Sequence, residues 1–182
     1  MSIGLKRGTV YLENHSTEWD AEAARTIQVL KSIFQDDAVD IQHVGSTSVK
    51  TIPAKPIIDI VVGVSELKTV LLKKDQLESE SIIFRFEENP GQMLFVMGDF
   101  ENDTRTHHIH VVKYGSRQWN DYLNFRDYLN TSTQAAESYA SLKAALARKY
   151  PTNRIAYTEG KSRLIEVLLN EARQWRKTNT EE

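Results

Sequence analysis

The residues with the clearest chemical potential lie in one stretch, residues 41–64, which reads IQHVGSTSVKTIPAKPIIDIVVGV. Gly45 and Ser46 follow a short apolar segment, and a sharp turn there would point backbone N–H groups and a hydroxyl outward, as phosphate sites at helix N-termini do. An ordinary capped turn is the alternative interpretation. Asp59 interrupts a β-branched run, and a desolvated carboxylate must pair, for example with Lys55, or bind a metal ion.

Two histidines on a later segment are candidates for the same site. His108 and His110 alternate along a predicted strand, so both side chains project from one face, while His107 points the other way. Together with Asp59 they would suit a divalent metal ion or a proton-transfer cluster. A hydrogen-bonded structural pair is the alternative, because the sequence does not fix the distance from either histidine to Asp59.

Residues 158–162 contain Gly-Lys-Ser, the end of a P-loop pattern. A P-loop also needs a glycine where Ile155 stands and a preceding strand, so we reject that interpretation. Lys161 is nevertheless unusual, because it is predicted in the first turn of a helix, where a cation opposes the macrodipole. We interpret it as a candidate contact for a substrate phosphate, with a solvated lysine as the alternative.

Hydrophobic periodicity predicts the elements that must position these residues. Helices are expected at residues 17–37, 65–78, 119–129, 133–150 and 158–177. Strands are expected at residues 10–12, 41–44, 57–62, 82–87, 92–97 and 106–113, the later ones joined by turns at 89–91 and 99–103. Thr17 and Asp20 have the spacing of a capping box at the start of the first helix. The pattern predicts an α/β to α+β fold, a mixed sheet packed with helices.

Composition places the chain among folded globular proteins, since 40% of its 182 residues are hydrophobic and 26% are charged. We expect a single domain over residues 1–182, with an α/β core at 1–114, C-terminal helices at 115–177 and a frayed tail at 178–182. The longest apolar run is too short for a membrane span. With no cysteine and no signal peptide, a cytoplasmic location is expected.

The charges are unevenly distributed, because residues 1–112 are net acidic and residues 113–177 are net basic. A basic half beside a phosphate site would attract a phosphate-bearing small molecule. Nucleic acid is not indicated as a partner, because no dense basic cluster is interleaved with aromatic residues. The sequence gives no indication of the oligomeric state.

Five motifs in this sequence closely resemble those of the GrpB family. They are HVGST at 43–47, AKPIIDI at 54–60, RTHHIHV at 105–111, FRDYL at 125–129 and YTEGKS at 157–162. The resemblance covers residues 10–175. It implies a nucleotidyltransferase-like fold, in which a Gly-Ser turn cradles a triphosphate and strand carboxylates hold Mg²⁺. Related domains also occur fused to dephospho-coenzyme A kinase, which points to nucleotide or coenzyme A metabolism.

The chain departs from the nucleotidyltransferase pattern at one position that matters for metal binding. Active members usually carry two acidic residues flanking one position, and here the second place is Val61. A two-metal site needs several oxygen ligands, which Asp59 alone does not supply. His108 and His110 stand where the superfamily often places its third acid and are expected to replace it, with Glu87 as a weaker candidate.

These observations lead to one principal hypothesis and two alternatives. The principal one is a nucleotide- or phosphate-binding protein with nucleotidyl transfer dependent on Mg²⁺ or Mn²⁺. Its expected catalytic and metal residues are Asp59, His108 and His110, and its expected phosphate-binding residues are His43, Gly45, Ser46, Thr47, Lys55 and Lys161. The alternatives are a non-catalytic module that binds a nucleotide or a coenzyme A-related ligand, and a metal-dependent phosphohydrolase.

Overall fold

The computed structural model describes residues 3–89 and 91–180. The strands are β1 (Leu5–Lys6), β2 (Ala38–Val44), β3 (Ile58–Val64), β4 (Ile83–Asn89), β5 (Gln92–Met97), β6 (Thr104–Arg105) and β7 (His107–Lys113). The α-helices are α1 (Thr17–Phe34), α2 (Lys74–Ser79), α3 (Arg117–Thr131), α4 (Thr133–Lys149) and α5 (Arg154–Thr180). Short 3₁₀ helices cover Gln35–Asp37, Ser46–Ser48 and Leu67–Lys73.

Five strands form a mixed sheet in the order β2-β3-β7-β5-β4, and β1 pairs separately with β6. The β3 and β7 strands are parallel, whereas the other neighbouring pairs in the large sheet are antiparallel. The parallel register places Asp59 opposite His108 and Val61 opposite His110. Paired residues project to the same side of a sheet, so these four side chains share one face.

The two faces of the central strand β3 have different neighbours. Ile58, Ile60, Val62 and Val64 are fully buried in the main core, which also contains the inward side of α1. The alternate positions face the C-terminal helices, and there Val61 packs with Trp119 of α3 in a smaller cluster. A third cluster joins α3, α4 and α5 to the segment after the Ser46–Ser48 turn. Asp59 therefore faces the three C-terminal helices.

The predicted mixed sheet, packed with helices and followed by C-terminal helices, is confirmed. Several boundaries differ from the prediction. The expected edge strand at 10–12 does not form, and only Glu13 makes an isolated bridge, to Ala54. The first helix is capped by the Ser16 hydroxyl, which accepts a hydrogen bond from the Glu18 N–H, rather than by Thr17. The expected helix at 65–78 is mostly 3₁₀.

The last helix is longer than predicted at both ends. It begins at Arg154, four residues before the expected start, and the Ala156 N–H there donates to the Asn153 side chain. It also continues to Thr180, so residues 178–180 are helical rather than frayed, and the Thr178 hydroxyl donates to the Gln174 carbonyl. Residues 181 and 182 lie outside the described residues, as does Pro90 of the predicted turn at 89–91.

Among the residues that the structure describes, no helix is both long enough and apolar enough to cross a membrane.

Candidate functional site

Asp59 and the two predicted histidines converge on one face of the sheet. The Oδ1 atom of Asp59 lies 3.1 Å from Nδ1 of His108 and 3.8 Å from Nε2 of His110. The Gln92 amide donates to Nδ1 of His110 over 3.2 Å and to the Tyr122 hydroxyl over 2.9 Å. In a neutral His110 with Nδ1 as acceptor, the proton is on Nε2 and faces Asp59.

The Asp59 carboxylate is ionised despite its surroundings. Burial acts to raise its pKa, but hydrogen bonds from His108 and His110 and the charges of these two side chains outweigh burial. The pKa of Asp59 therefore lies well below its ordinary value. A carboxylate held in this way is a fixed negative charge with an oriented imidazole beside it, which is the arrangement found in proton-transfer sites.

Gly45 brings the chain into direct contact with this carboxylate. Its φ of 71° lies in the region that favours glycine, and a Cβ atom built there would lie 2.7 Å from Cβ of Asp59. Ser46 then begins a 3₁₀ helix of only three residues. Such a short helix has no appreciable macrodipole, so the expected anion site at a helix N-terminus is not present in that form. Gly45 and Ser46 do line the cavity described next.

A cavity of about 500 Å³ opens beside Asp59, between the sheet and the C-terminal helices. Asp59, His108 and His110 form part of its wall, together with the Gly45–Ser46 turn. Lys55 and Lys161 also line it, so seven of the residues predicted from the sequence meet in one place, and Lys161 is joined there by Arg154 from the same helix. This convergence depends on tertiary structure, because these residues come from four separated segments.

Three lysines from three different elements surround this cavity. Lys55 comes from the connection between β2 and β3, Lys143 from α4 and Lys161 from α5. The Nζ atoms of Lys55 and Lys161 lie 5.5 Å and 4.6 Å from the ring centroid of Tyr157, so both cations are close to one aromatic ring. Burial lowers the pKa of Lys161, and burial with the Lys161 and Arg154 charges lowers the pKa of Lys55 to about 8.

Lys143 is the most unusual of the three and was not anticipated from the sequence. Its side chain is only 1% exposed, and its Nζ atom has no hydrogen-bond partner among the residues that the structure describes. The Nζ atom lies 4.9 Å from the centroid of the Tyr139 ring. Burial, and then the charges of Lys161 and Lys55, lower the pKa of Lys143 to about 7. Such a buried cation without an anion is costly.

The rest of the cavity wall is largely aromatic and apolar. Tyr139 contacts Ser46 through a side-chain hydrogen bond, and burial raises the pKa of Tyr139 to about 12. Tyr122 packs against His110, with ring centroids 5.0 Å apart, and Phe125 packs edge-on against Tyr139 at 5.5 Å. The wall therefore combines cations with flat apolar surface suited to an organic group.

Four residues considered in the sequence lie outside this cavity. Nε2 of His43 is 2.9 Å from the Thr47 hydroxyl, and its Nδ1 is 3.7 Å from Asp20, so His43 and Thr47 lie behind the turn. Burial lowers the pKa of His43 to about 4. His107 faces α1, as predicted, with Nε2 3.1 Å from the Thr26 hydroxyl. Glu87 lies on the edge strand β4, where it accepts a hydrogen bond from Gly91.

Lys161 lies in the second turn of α5 rather than in the first turn of a helix, because α5 begins at Arg154. The macrodipole argument for its unusual position is therefore wrong. Its neighbour Gly160 has a packing role instead, since a Cβ atom there would lie 2.6 Å from Cδ2 of Leu146 on α4. Close approach of α5 to α4 at this point brings Lys161 and Lys143 to the same cavity.

The FRDYL segment fixes α3 against the sheet and the last helix. Arg126 donates to the Gln42 side chain and to the His43 carbonyl, over 2.9 Å and 3.1 Å. Asp127 pairs with Arg126 and with Arg176 of α5. These contacts hold the strand that ends at the Gly45 turn, so the segment positions the site, and Phe125 at its start also lines the cavity.

The donor set around Asp59 does not fit Mg²⁺, whose preferred ligands are several oxygens in octahedral geometry. Asp59 has no second carboxylate two positions along β3, because Val61 fills that place and is fully buried. Both imidazoles approach the same oxygen of Asp59 instead of leaving it open. Within residues 3–89 and 91–180, no group of three or more His, Cys, Asp or Glu side chains is arranged to hold a metal ion. We derive no metal-dependent step.

Comparison with known proteins identifies the family. The sequence model of the family described as GrpB protein matches residues 9–171. The chain belongs to the GrpB family. This agrees with the resemblance of the five sequence motifs, each of which supplies at least one residue of the cavity wall in this GrpB protein.

Several relatives match along most of this chain. The glutamate-rich protein GrpB of Alkalihalophilus pseudofirmus is 38% identical over 172 residues, which cover 93% of this chain and 99% of that protein. YqkA of Bacillus subtilis is 32% identical over 92% of this chain, but this chain spans only 47% of that protein. The crystal structure of the conserved protein GrpB from Enterococcus faecalis has a TM-score of 0.83 and 30% identity, covering 91% of this chain and 99% of that chain.

Proposed function

We propose that this GrpB protein binds a nucleotide or another phosphate-bearing small molecule in the cavity beside Asp59. The observation that carries the proposal is Lys143, a residue of the cavity wall whose buried ammonium has no hydrogen-bond partner among the described residues. A buried cation is strongly disfavoured unless an anion compensates it. A phosphate group would supply that anion and would accept hydrogen bonds from Lys55 and Lys161 as well.

The shape and chemistry of the cavity support a ligand with an organic part. Its volume of about 500 Å³ falls within the ordinary range for small-molecule sites, roughly 300–1,000 Å³. Lys55 and Lys161 lie near Tyr157 and Lys143 lies near Tyr139, whereas Tyr122, Phe125 and Gln92 belong to α3 and the sheet. In the proposed complex the phosphates contact the lysines, and the nucleoside or pantetheine-like part contacts the aromatic surface.

Calorimetric titration with ATP, GTP, CTP and coenzyme A, each in the presence and absence of Mg²⁺, tests this proposal. We expect at least one of them to bind, and Lys143→Met to weaken it by roughly 10- to 100-fold, the value of one charge-assisted hydrogen bond. Lys149→Met is the matched control, because Lys149 lies on the same helix and is exposed. No binding by any of the four compounds, or equal losses in both variants, would contradict the proposal.

A second candidate function is transfer of a nucleotidyl group, and the hydrogen bond between Asp59 and His108 favours it. In this reaction the oxygen of an acceptor hydroxyl bonds to the α-phosphorus, and the bond from that phosphorus to the pyrophosphate oxygen breaks. The hydroxyl proton passes to a basic group within reach, for which the imidazole oriented by Asp59 is suited. The lysines would stabilise the charge that develops on pyrophosphate.

Product analysis separates this candidate from the non-catalytic module and from the phosphohydrolase. Nucleotidyl transfer releases pyrophosphate and leaves the α-phosphate on an acceptor, whereas a phosphohydrolase releases inorganic phosphate. A binding module gives neither product. For transfer, we expect pyrophosphate release that falls in His108→Gln while nucleotide binding is retained. Release that is unchanged in His108→Gln would rule out the proton-transfer role of the histidine.

A further inference from the structure

The charges around the cavity identify the form in which its ligand enters, and this inference rests on the proposed function. Lys55, Lys143, Lys161 and Arg154 all line the cavity. Among the described residues, the acidic side chains in the lining are those of Asp59 and Asp121. Asp121 is paired with Arg173, whose Nη2 atom lies 2.6 Å from Oδ2 of Asp121. Even with lysine charges reduced by burial, the environment is more cationic than anionic.

A free Mg²⁺ ion would be poorly accommodated in such an environment. A divalent cation must lose part of its hydration shell on binding. Carboxylate oxygens and phosphates offset the free-energy cost of that dehydration. The Oδ1 atom of Asp59, the carboxylate that lines the cavity from β3, is already contacted by His108 and His110. The next inward-facing position on the same strand is Val61, which is apolar and fully buried.

Lys143 has the properties needed to neutralise the negative charge of a bound phosphate, as a metal ion does in metal-dependent sites. It is held in a buried position, contributes three N–H donors and has no internal acceptor among the described residues. Lys55 and Lys161 line the same cavity, with their Nζ atoms 5.5 Å and 4.6 Å from the centroid of the Tyr157 ring. Three ammonium groups from independent elements can contact different phosphate oxygens, as two metal ions and a lysine do in metal-dependent sites.

We infer that the cavity binds its phosphate chain as the metal-free anion, with Lys143, Lys55 and Lys161 in place of a divalent cation. Under this assignment Asp59 is an acceptor that orients His108, not a metal ligand. Chelating divalent ions leaves the affinity unchanged or increases it, because the magnesium complex of a nucleotide carries less negative charge toward the lysines.

The test compares the affinity of the tightest binder among ATP, GTP, CTP and coenzyme A in EDTA and in excess Mg²⁺, at matched ionic strength. We expect affinity in EDTA equal to or greater than that in Mg²⁺. Binding that is at least tenfold tighter with Mg²⁺ would overturn the inference and leave the proposed function standing. Absence of binding under both conditions would instead overturn the proposed function.

Asp59→Asn supplies a second, independent arm, because it keeps the size of the side chain while removing its charge. We expect the variant to bind the same compound in EDTA at least as tightly as the wild-type protein, since one negative charge near the phosphates is lost. A variant that loses affinity only in Mg²⁺ would show that Asp59 holds the metal, contrary to the inference. Titration of Mn²⁺ alone, followed by water-proton relaxation, is expected to show no binding that depends on Asp59.

Discussion

Asp59 and His108 are 49 residues apart in the chain, yet Oδ1 of the one lies 3.1 Å from Nδ1 of the other. The contact follows from the parallel pairing of β3 with β7, which places the two residues directly opposite each other. It also fixes the side of the sheet on which the cavity lies, because both side chains face the C-terminal helices. The predictions below concern the groups that meet at this place.

Lys143→Met is expected to make the ligand-free protein more stable. The substitution replaces a buried ammonium without a hydrogen-bond partner by an apolar side chain of similar length, so a desolvation penalty of about 1–3 kcal/mol is removed. Urea unfolding of both proteins measures the difference. The exposed Lys149→Met control should change the free energy of unfolding by less than about 0.5 kcal/mol. Destabilisation by Lys143→Met would show that its ammonium is compensated in the ligand-free protein.

Ligand-free stability is expected to rise with pH between about 7 and 10. Lys143 has a pKa of about 7 and Lys55 of about 8 in the folded protein, against an ordinary value of 10.5. In this window the unfolded chain therefore binds more protons than the folded chain, which makes stability increase by at most about 1.4 kcal/mol per pH unit for each lysine. Lys143→Met should flatten part of this rise in urea unfolding at several pH values.

The same protonation predicts that affinity for an anionic ligand falls as the pH rises above about 7, because the ligand favours charged Lys143. The groups facing Lys143 are Lys55, Lys161, Arg154, Asp59 and Tyr139, from four parts of the fold. Asp59 stays ionised in this range because its pKa lies far below 7. The Tyr139 hydroxyl stays neutral because its pKa is about 12. A pH-independent affinity between 7 and 9 would contradict the prediction.

Gly45→Ala is expected to disrupt both stability and binding. The residue has φ of 71°, which disfavours side chains, and the new Cβ atom would collide with Asp59. Gly115→Ala is a matched control, because Gly115 also has φ of 71° but has nothing within 4 Å of the added atom. The control should lose about 1–2 kcal/mol through backbone strain alone. Thermal unfolding and calorimetry should show a larger loss for Gly45→Ala, and equal losses would refute a steric role.

Gly160→Ala is expected to weaken ligand binding although alanine has the higher helix propensity. The added Cβ atom would meet the Leu146 side chain at 2.6 Å, so α5 must move away from α4 and Lys161 with it. Ser162→Ala on the same helix is exposed and serves as the control, with an expected affinity near that of the wild-type protein. Unchanged affinity and increased stability in Gly160→Ala would show that Leu146 gives way without consequence.

The sequence was enough to identify residues 41–64 as a candidate site, because a charged residue such as Asp59 inside a β-branched run is visible without a structure. A carboxylate inside a β-branched run, alternating histidines and a Gly-Ser turn are each readable without a structure, and the predicted mixed sheet is confirmed. The strand register could not be read, since periodicity shows which side chains share a face but not which strand lies beside it. The convergence of Asp59 with His108 and His110 was therefore a hypothesis until β3 and β7 were seen to pair.

Lys143 shows where the sequence is uninformative. It stands in an ordinary amphipathic helix, SLKAALARK, where a lysine usually extends into solvent. Its ammonium is buried in the folded protein, where α4 packs against α5, and burial is a property of the assembled helices. The sequence by itself indicated a Gly-Ser turn of the kind that binds phosphate, with one carboxylate, Asp59, on the next strand. Tertiary structure decided that Lys143 joins Lys55 and Lys161 in the wall of the cavity that contains Asp59, because burial depends on neighbours distant in the chain.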